Sequence, residues 1–275
     1  DCFVAVFLPT DHIQHTFWRG LDAQHARYEP DAPERVRHAI RDAYRACDRM
    51  VGDVMAKKPA DTALVVLSDH GFHPWRTAVN LNTWLHERGW LRLKPGVASA
   101  GKSLHDLQPD GLFFEHVDWF STRAYSLGLG NIHLNLAGRE PEGIVSVGGE
   151  AEAVMARVER DLLAWRDPAG GSVVRSVYRG AALYHGPYAS GGADLLVGFQ
   201  PGFRVSWQTC LGGAPPGVLS TNASKWSGDH CSLDPAITPG VLFCDRPVTA
   251  ASPGIIDAAP SILRLLGVDV PWGCA

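Results

Sequence analysis

The chain has 275 residues, of which 45% are hydrophobic and 20% are charged, and its formal net charge is -4. This length fits one large domain or two small ones, and the composition is ordinary for a globular protein. The slightly acidic balance argues against a broad nucleic-acid-binding surface, and no apolar run approaches the roughly 20 residues that span a bilayer. These features exclude a basic nucleic-acid binder and a membrane span within the chain.

The cysteines are scattered and form no Cys-x-x-Cys pair; they are Cys2, Cys47, Cys210, Cys231, Cys244 and Cys274. Such spacing is that of neither a zinc ribbon nor a dense disulfide framework, and it favours a reducing compartment such as the cytoplasm. The chain opens at Asp1 in strand-like sequence, without Met or a leader. We therefore expect the true N-terminus to lie upstream, which leaves a signal peptide there open.

The first part of the chain predicts a strand, a helix and a second strand. Residues 2–8 form an apolar run. Asp31 is a candidate N-cap with Pro33 in the first turn, and the helical spacing that follows ends near Lys57-Lys58-Pro59. Residues 63–67 are again apolar, which is typical of a strand buried on both faces. This order predicts a βαβ unit and a parallel sheet with a right-handed crossover.

The remaining elements alternate less regularly. We expect a short helix around residues 84–88 that ends at Gly89, an irregular segment at 94–118, strands near 123–126, 131–136, 172–177, 194–199 and 241–244, an amphipathic helix at 149–166, and a helix at 260–266 that ends at Gly267. The pattern predicts an α/β core formed by residues 1–80 and 186–275, interrupted by an α+β insertion or cap at residues 81–185.

Asp69 and His70 directly follow the second apolar run, and Gly71 allows the chain to turn there. Open α/β sheets bind ligands in the loops outside the carboxyl ends of their strands. A carboxylate and an imidazole at that position suit a divalent metal such as zinc.

Two further motifs offer the same ligand types: Asp11-x-x-x-His15 and Gly228-Asp-His230. With Asp69 and His70, the ligand set is Asp11, His15, Asp69, His70 and His230. Five ligands are more than one catalytic zinc site takes and one short of two such sites. Two metal ions about 4 Å apart would clamp a phosphoryl group. The count predicts a missing carboxylate, and a missing nucleophile, outside this chain.

Several neighbouring residues are weaker candidates. His12 adjoins Asp11, but only His15 has the i+4 spacing, so we treat His12 as a bystander. His73, Asn222 and Lys225 are candidate substrate contacts near the motifs. Asp229 could orient the neighbouring ligand His230 from outside the ligand set, or it could be a plain turn residue.

The ordered set of motifs resembles the carboxyl-terminal part of the alkaline phosphatase superfamily, in its type I phosphodiesterase/nucleotide pyrophosphatase branch. The matching stretches are Thr10–Trp18, Leu67–Phe72 and Trp226–His230, with support from Ala124–Ser126, Asn131–Ile144 and Ile255–Leu263. They span nearly the whole chain in order. The resemblance implies a three-layer α/β/α sandwich with a mostly parallel sheet.

The resemblance also implies roles for the ligand residues. Asp11, His15 and His230 would hold one metal ion, and Asp69 and His70 the other. In the family, an upstream aspartate and a catalytic Thr or Ser complete the second site, and neither is expected within these 275 residues. The implied cofactors are two divalent ions, with zinc preferred and manganese as the alternative. The implied reaction is in-line attack on a small phosphate ester or nucleotide by the metal-activated hydroxyl.

Three interpretations stay open at this point. The first is a two-metal phosphodiesterase or nucleotide pyrophosphatase. The second is a phosphomonoesterase or a phosphoglycerate mutase-like enzyme of the same superfamily. A sulfatase is disfavoured because no cysteine fits its Cys-x-Pro-x-Arg motif. The third is a catalytically inactive metal-binding module. The sequence predicts no oligomeric state.

Overall fold

The structure is a computed structural model that describes residues 1–101, 113–232 and 234–271. The α-helices in these residues are α1 (Pro9–Phe17), α2 (Glu34–Arg37), α3 (Ala39–Lys57), α4 (Leu81–Glu87), α5 (Gly149–Leu163), α6 (Gly180–Leu183), α7 (Trp207–Cys210) and α8 (Ala258–Leu265). Single turns of 3-10 helix lie at Trp18–Gly20, Trp119–Ser121, Ala189–Gly191 and Ile255–Asp257. No described helix combines the length and the apolar character needed to cross a membrane.

The strands form three small sheets. They are β1 (Val65–Leu67), β2 (His73–Val79), β3 (Ala124–Ser126), β4 (Asn131–Leu134), β5 (Val174–Arg179), β6 (Leu195–Phe199), β7 (Gly202–Val205), β8 (Leu219–Thr221), β9 (Gly228–Asp229) and β10 (Leu242–Cys244). β1 pairs with β10, and β2 pairs with β7, β8 and β9. The third sheet has the order β3-β4-β6-β5.

The fold is mixed α/β as predicted, but its sheets are largely antiparallel rather than mostly parallel. Among the named strand pairs of the described residues, only β2 and β7 run parallel. The predicted three-layer sandwich is not confirmed.

The predicted βαβ unit is also wrong. It required residues 2–8 and 63–67 to be strands of one parallel sheet. Residues 1–7 have no strand structure and are exposed, and β1 pairs with β10, which runs in the opposite direction. β1 is half-buried to exposed rather than buried on both faces. An apolar run favours a strand, but its sheet partner is set by the rest of the chain.

The helices follow the sequence pattern more closely. The helix predicted from Asp31 begins instead at Glu34, is interrupted at His38 and resumes as α3. It ends at Lys57 because Lys58 precedes a proline and is extended (ψ 148°). In α8, Gly267 (φ 69°) closes the C-terminus while the Val268 N–H donates to the Leu263 carbonyl.

The buried apolar core lies between α4, α5 and the four-stranded β3-β4-β6-β5 sheet. Val154, Val158 and Leu162 of α5 recur at helical spacing, and all three are buried in this cluster. Ile132 of β4 and Phe199 of β6 are fully buried in it. The segment predicted as an insertion therefore contributes much of the buried core of the described chain.

Other parts of the chain expose apolar surface. Phe3, Val6, Phe243, Ile256 and Leu265 are each more than half exposed. The described cysteines, Cys2, Cys47, Cys210, Cys231 and Cys244, are all free thiols. Of the predicted irregular segment at 94–118, residues 102–112 lie outside the described residues, and its described ends contribute two isolated bridges, Leu93–Val117 and Ala100–Ala214.

Candidate metal centre

Asp11 and His15 lie one turn apart on α1. The helix starts at Pro9, whose fixed φ suits a first-turn position. Residues four apart share a helix face, and Asp11 Oδ1 lies 3.3 Å from His15 Nε2. His12 is exposed. The helical spacing therefore brings His15, and not His12, to the carboxylate.

The end of α1 is held against residues 227 and 228. Ser227 Oγ accepts the Arg19 N–H at 3.0 Å and donates to carbonyl oxygens of α1. A Cβ atom on Gly228 would lie 2.7 Å from the Gln14 carbonyl oxygen and 2.9 Å from Trp18 Cβ. Only glycine therefore allows β9 to approach the helix this closely.

The His15 ring is fixed on several sides. Its Nδ1 lies 2.8 Å from the Gly228 carbonyl oxygen. Because a carbonyl only accepts hydrogen bonds, Nδ1 carries the proton of the neutral ring and Nε2 carries a lone pair. The Trp226 ring stacks on His15 at 3.8 Å between centroids, and the Phe72 ring meets it edge-on at 4.7 Å. Burial lowers the pKa of His15, which keeps the ring neutral.

His230 brings a second imidazole to the same carboxylate oxygen. Its Nε2 lies 3.5 Å from Asp11 Oδ1, and one ligand atom each from Asp11, His15 and His230 all lie within 4.8 Å of one another. Burial, together with the neighbouring His70, lowers the pKa of His230. His230 lies more than 200 positions beyond Asp11 and His15 in the sequence, yet the three side chains converge on one point.

These three side chains fit a divalent cation. Asp11 Oδ1 is buried and has no hydrogen-bond partner among the described residues. It faces the lone pair of His15 Nε2 at 3.3 Å, an arrangement in which two acceptors meet without a proton. A buried acceptor without a partner costs free energy, and a cation between these atoms would remove that cost. One carboxylate and two neutral imidazoles form a typical zinc ligand set.

Asp69 and His70 lie beside this centre, in the turn after β1. Gly71 is packed so closely that an added Cβ would lie 2.5 Å from the Pro239 carbonyl oxygen, and its N–H donates to the Thr238 carbonyl. The His70 ring stacks on the His230 ring, with centroids 3.5 Å apart and planes 9° apart. Asp69 Oδ2 lies 3.6 Å from His70 Nε2 and is largely exposed. The structure thus brings His70 against the Asp11, His15 and His230 group, whereas Asp69 is connected to it only through its contact with His70.

The comparison with known families agrees with the motif resemblance. A family model for type I phosphodiesterase / nucleotide pyrophosphatase matches residues 4–206, which is most of the chain. The chain belongs to the type I phosphodiesterase/nucleotide pyrophosphatase family. Membership in this family supports the interpretation of the protein as a phosphoester hydrolase. No curated protein matches the chain.

The family match includes four of the five candidate ligands. Asp11, His15, Asp69 and His70 lie within residues 4–206, whereas His230 lies beyond them. The assignment of His230 as a candidate ligand in this family member therefore rests on the geometry of the site. Its distance to Asp11 and its stacking on His70 supply that geometry.

Asp229 supports the ligands instead of joining them. Its Oδ1 accepts the backbone N–H groups of His230 and Cys231 at 2.8 and 2.9 Å, and its Oδ2 accepts the Trp226 indole N–H at 2.9 Å. Burial alone would raise the pKa of Asp229, but the charge of Arg204 and these hydrogen bonds hold it below its usual value. With both oxygens engaged, Asp229 suits the role of orienting residue.

A second group of potential ligands in this phosphodiesterase-family chain, formed by Asp229, His230 and Cys231, fits a metal less well. The oxygens of Asp229 are already used by the contacts above. Burial raises the pKa of the Cys231 thiol to about 12, which opposes the thiolate form that binds metals. The Asp11, His15 and His230 group is therefore the better centre.

The three candidate substrate contacts lie in different environments. His73 is buried in β2, and its Nδ1 accepts the Gly202 N–H at 3.2 Å. Burial lowers the pKa of His73 to about 4. Asn222 is buried and donates to the carbonyls of Trp75 and Trp226, so its amide fixes the loop before β9. Lys225 is exposed in that loop.

The sequence interpretation missed Arg204. It lies in β7, is 1% exposed, and places its Nε 3.1 Å from Asp229 Oδ2. A lone arginine in a short apolar strand carries no local signal of its partner, because the partner lies 25 positions further along the chain.

Proposed function

We propose that this protein is a metal-dependent hydrolase that cleaves phosphodiester or nucleotide pyrophosphate bonds of small molecules. One observation carries the proposal. The buried Asp11 Oδ1 faces the lone pair of His15 Nε2 at 3.3 Å, with His230 Nε2 at 3.5 Å from the same oxygen. This is the arrangement that a bound cation would stabilise, and the family to which the chain belongs supports phosphoester chemistry.

The proposal includes two divalent ions, with zinc preferred and manganese as the alternative. Asp11, His15 and His230 would hold one ion, and Asp69 and His70 would contribute to the other. Neutral imidazoles favour zinc, whereas a site richer in carboxylates would favour manganese. The stacking of His70 on His230 supports two neighbouring positions, because it brings the two ligand groups side by side.

Each part of the site would have a separate task. Bound divalent ions would neutralise charge on the phosphoryl oxygens of the substrate. The helix α1 and the turn after β9 hold the ligands in fixed geometry, and Phe72 and Trp226 exclude water from one side of His15. All five ligands fall within residues 1–80 and 186–275. The ligands therefore lie in the proposed metal-binding part, although β6 of that part pairs with β4 and β5 of the proposed insertion at residues 81–185.

Metal binding is the first test, because it does not depend on the substrate. Isothermal titration with zinc should show binding to the wild-type protein and its loss in Asp11→Asn. His12→Asn is the matched control, since it changes an exposed residue on the same helix. Equal binding by wild type and Asp11→Asn would refute the proposed centre.

A hydrolysis panel on the full-length protein is the second test, because the nucleophile is expected outside these 275 residues. It compares an aryl phosphodiester, an aryl phosphomonoester and a nucleotide, with Asp69→Ala as the inactive control. Preference for the diester or the nucleotide supports the proposal. Preference for the monoester would favour a phosphomonoesterase or mutase-like enzyme, and metal binding without hydrolysis would favour an inactive binding module.

A further inference from the structure

Arg204 and Asp229 form a buried ion pair behind the candidate ligands. Both side chains are 1% exposed, and Arg204 Nε lies 3.1 Å from Asp229 Oδ2. Moving two charges out of water costs several kcal/mol for each ion, so such a pair contributes little net stability. Its position next to the metal ligands suggests a role other than holding the fold together.

The guanidinium group of Arg204 is fixed from several directions. It lies over the Trp75 ring at 4.5 Å and over the Trp207 ring at 3.9 Å, and Nη1 donates to the Val205 carbonyl at 2.8 Å. A planar guanidinium can stack between aromatic rings and still direct its charge at a carboxylate, which a lysine ammonium cannot do. Arg204 therefore holds Asp229 in one place.

Asp229 in turn restrains the surroundings of both imidazoles of the centre, His15 and His230. Through Oδ1 it holds the backbone N–H of His230, and through Oδ2 it holds the indole of Trp226. The Trp226 ring in turn stacks on His15 at 3.8 Å. One carboxylate thus restrains the chain that carries one ligand and the ring that packs against the other.

We propose that Arg204 is a positioning residue for the metal ligands His15 and His230, acting through Asp229 and Trp226. The proposal rests on the proposed metal-dependent function. Residues that orient metal ligands from behind change metal affinity by about 10- to 100-fold when they are removed. Loss of Arg204 should therefore weaken zinc binding within that range while leaving the ligands themselves in place.

The test uses Arg204→Met, which keeps a long side chain but removes the charge. Zinc affinity is measured by competition with a chelating dye, and unfolding is measured separately in urea with EDTA. Arg88→Met is the matched control, because Arg88 also stacks on an indole, that of the core residue Trp84, at 4.1 Å, and contacts none of the candidate ligands. A merely structural role would lower stability in both variants and leave zinc affinity unchanged in both.

The expected result is about a 10- to 100-fold weaker zinc affinity in folded Arg204→Met and wild-type affinity in Arg88→Met. If the unpaired Asp229 prevents folding, Arg204→Met/Asp229→Asn removes both buried charges. That double variant should fold and still bind zinc at least about tenfold more weakly, because Trp226 loses its carboxylate acceptor.

Two outcomes overturn the proposal, and they are distinguishable. A folded Arg204→Met or double variant with wild-type zinc affinity refutes the positioning role alone. A wild-type protein that binds zinc no better than Asp11→Asn refutes the metal centre itself, and the positioning role with it.

Discussion

Acid should destabilise this protein through His73. The side chain is 4% exposed, and burial lowers its pKa to about 4 from an ordinary value of 6.5. Between these two pH values the unfolded chain binds a proton at His73 that the native protein does not bind. Stability therefore rises with pH across this window and falls as the solution is acidified from pH 6.5 towards pH 4.

The size of the effect follows from the difference between the two pKa values. At about 1.4 kcal/mol for each pH unit, the shift from 6.5 to about 4 corresponds to about 3 kcal/mol of unfolding free energy. Burial also lowers the pKa of His15, His25, His133 and His230, so these residues contribute in the same direction. The contribution of His73 must therefore be isolated by substitution.

The assay is urea unfolding followed by tryptophan fluorescence in EDTA at several pH values between 7.5 and about 4.5. His73→Asn removes the titration, and its amide oxygen can still accept the Gly202 N–H. The wild type should lose up to about 3 kcal/mol more than the variant over this range. Val79→Ala shortens a side chain in the same strand without removing a titrating group. This variant should be less stable than the wild type by the same amount at every pH. Parallel pH profiles for wild type and His73→Asn would refute the reasoning.

The remaining predictions concern the junction of α1 with β9. Gly228→Ala places a methyl group against the Gln14 carbonyl and Trp18, so zinc titration should show affinity reduced by more than about tenfold. Ser227→Ala leaves the Arg19 N–H without its acceptor and should lower the unfolding free energy in urea by about 1 to 3 kcal/mol. Zinc at about 100 times its dissociation constant should stabilise the wild type by about 2.7 kcal/mol over the same protein in EDTA, and Asp11→Asn should show no such difference in thermal melting.

Local sequence signals were sufficient where the structure depends on neighbours in the chain. The spacing of Asp11 and His15 predicted that both lie on one face, and α1 places them there. The helix of Val154, Val158 and Leu162 followed from apolar periodicity, and Gly267 ends α8 as expected. In each case the deciding contacts lie within about one helical turn.

Strand partners were not predictable in the same way. The apolar run at residues 63–67 does form β1, but its hydrogen bonds go to β10, more than 170 positions away. β2 was missed because Pro74 and Arg76 interrupt its pattern and suggest a loop. Proline is tolerated there because Pro74 pairs with Gly228 of β9, a strand of only two residues at the edge of the sheet.

The buried charged pair was missed for a different reason. Arginine and aspartate are rarely buried, so Arg204 and Asp229 are expected at the surface when each is considered alone. Only their proximity at 3.1 Å explains their burial, and proximity is a property of the folded chain. The supporting residues of a site are therefore harder to predict than its ligands, whose chemical types already suggest a metal.

The candidate metal centre and the buried core use different parts of the chain. The core cluster draws on residues between 79 and 205, and neither α1 nor β9 contributes to it. The only buried residues of α1 are Gln14 and His15, both polar, so few apolar contacts fasten this helix. Regions with few buried apolar contacts open at lower free energy than the core. A cation held by Asp11, His15 and His230 would join α1 directly to the end of β9, and its binding energy would stabilise that junction. In this protein the proposed ion would thus serve the fold as well as the chemistry, because it would add a direct link to the Ser227 hydrogen bonds and the close Gly228 packing that join α1 to β9 outside the core.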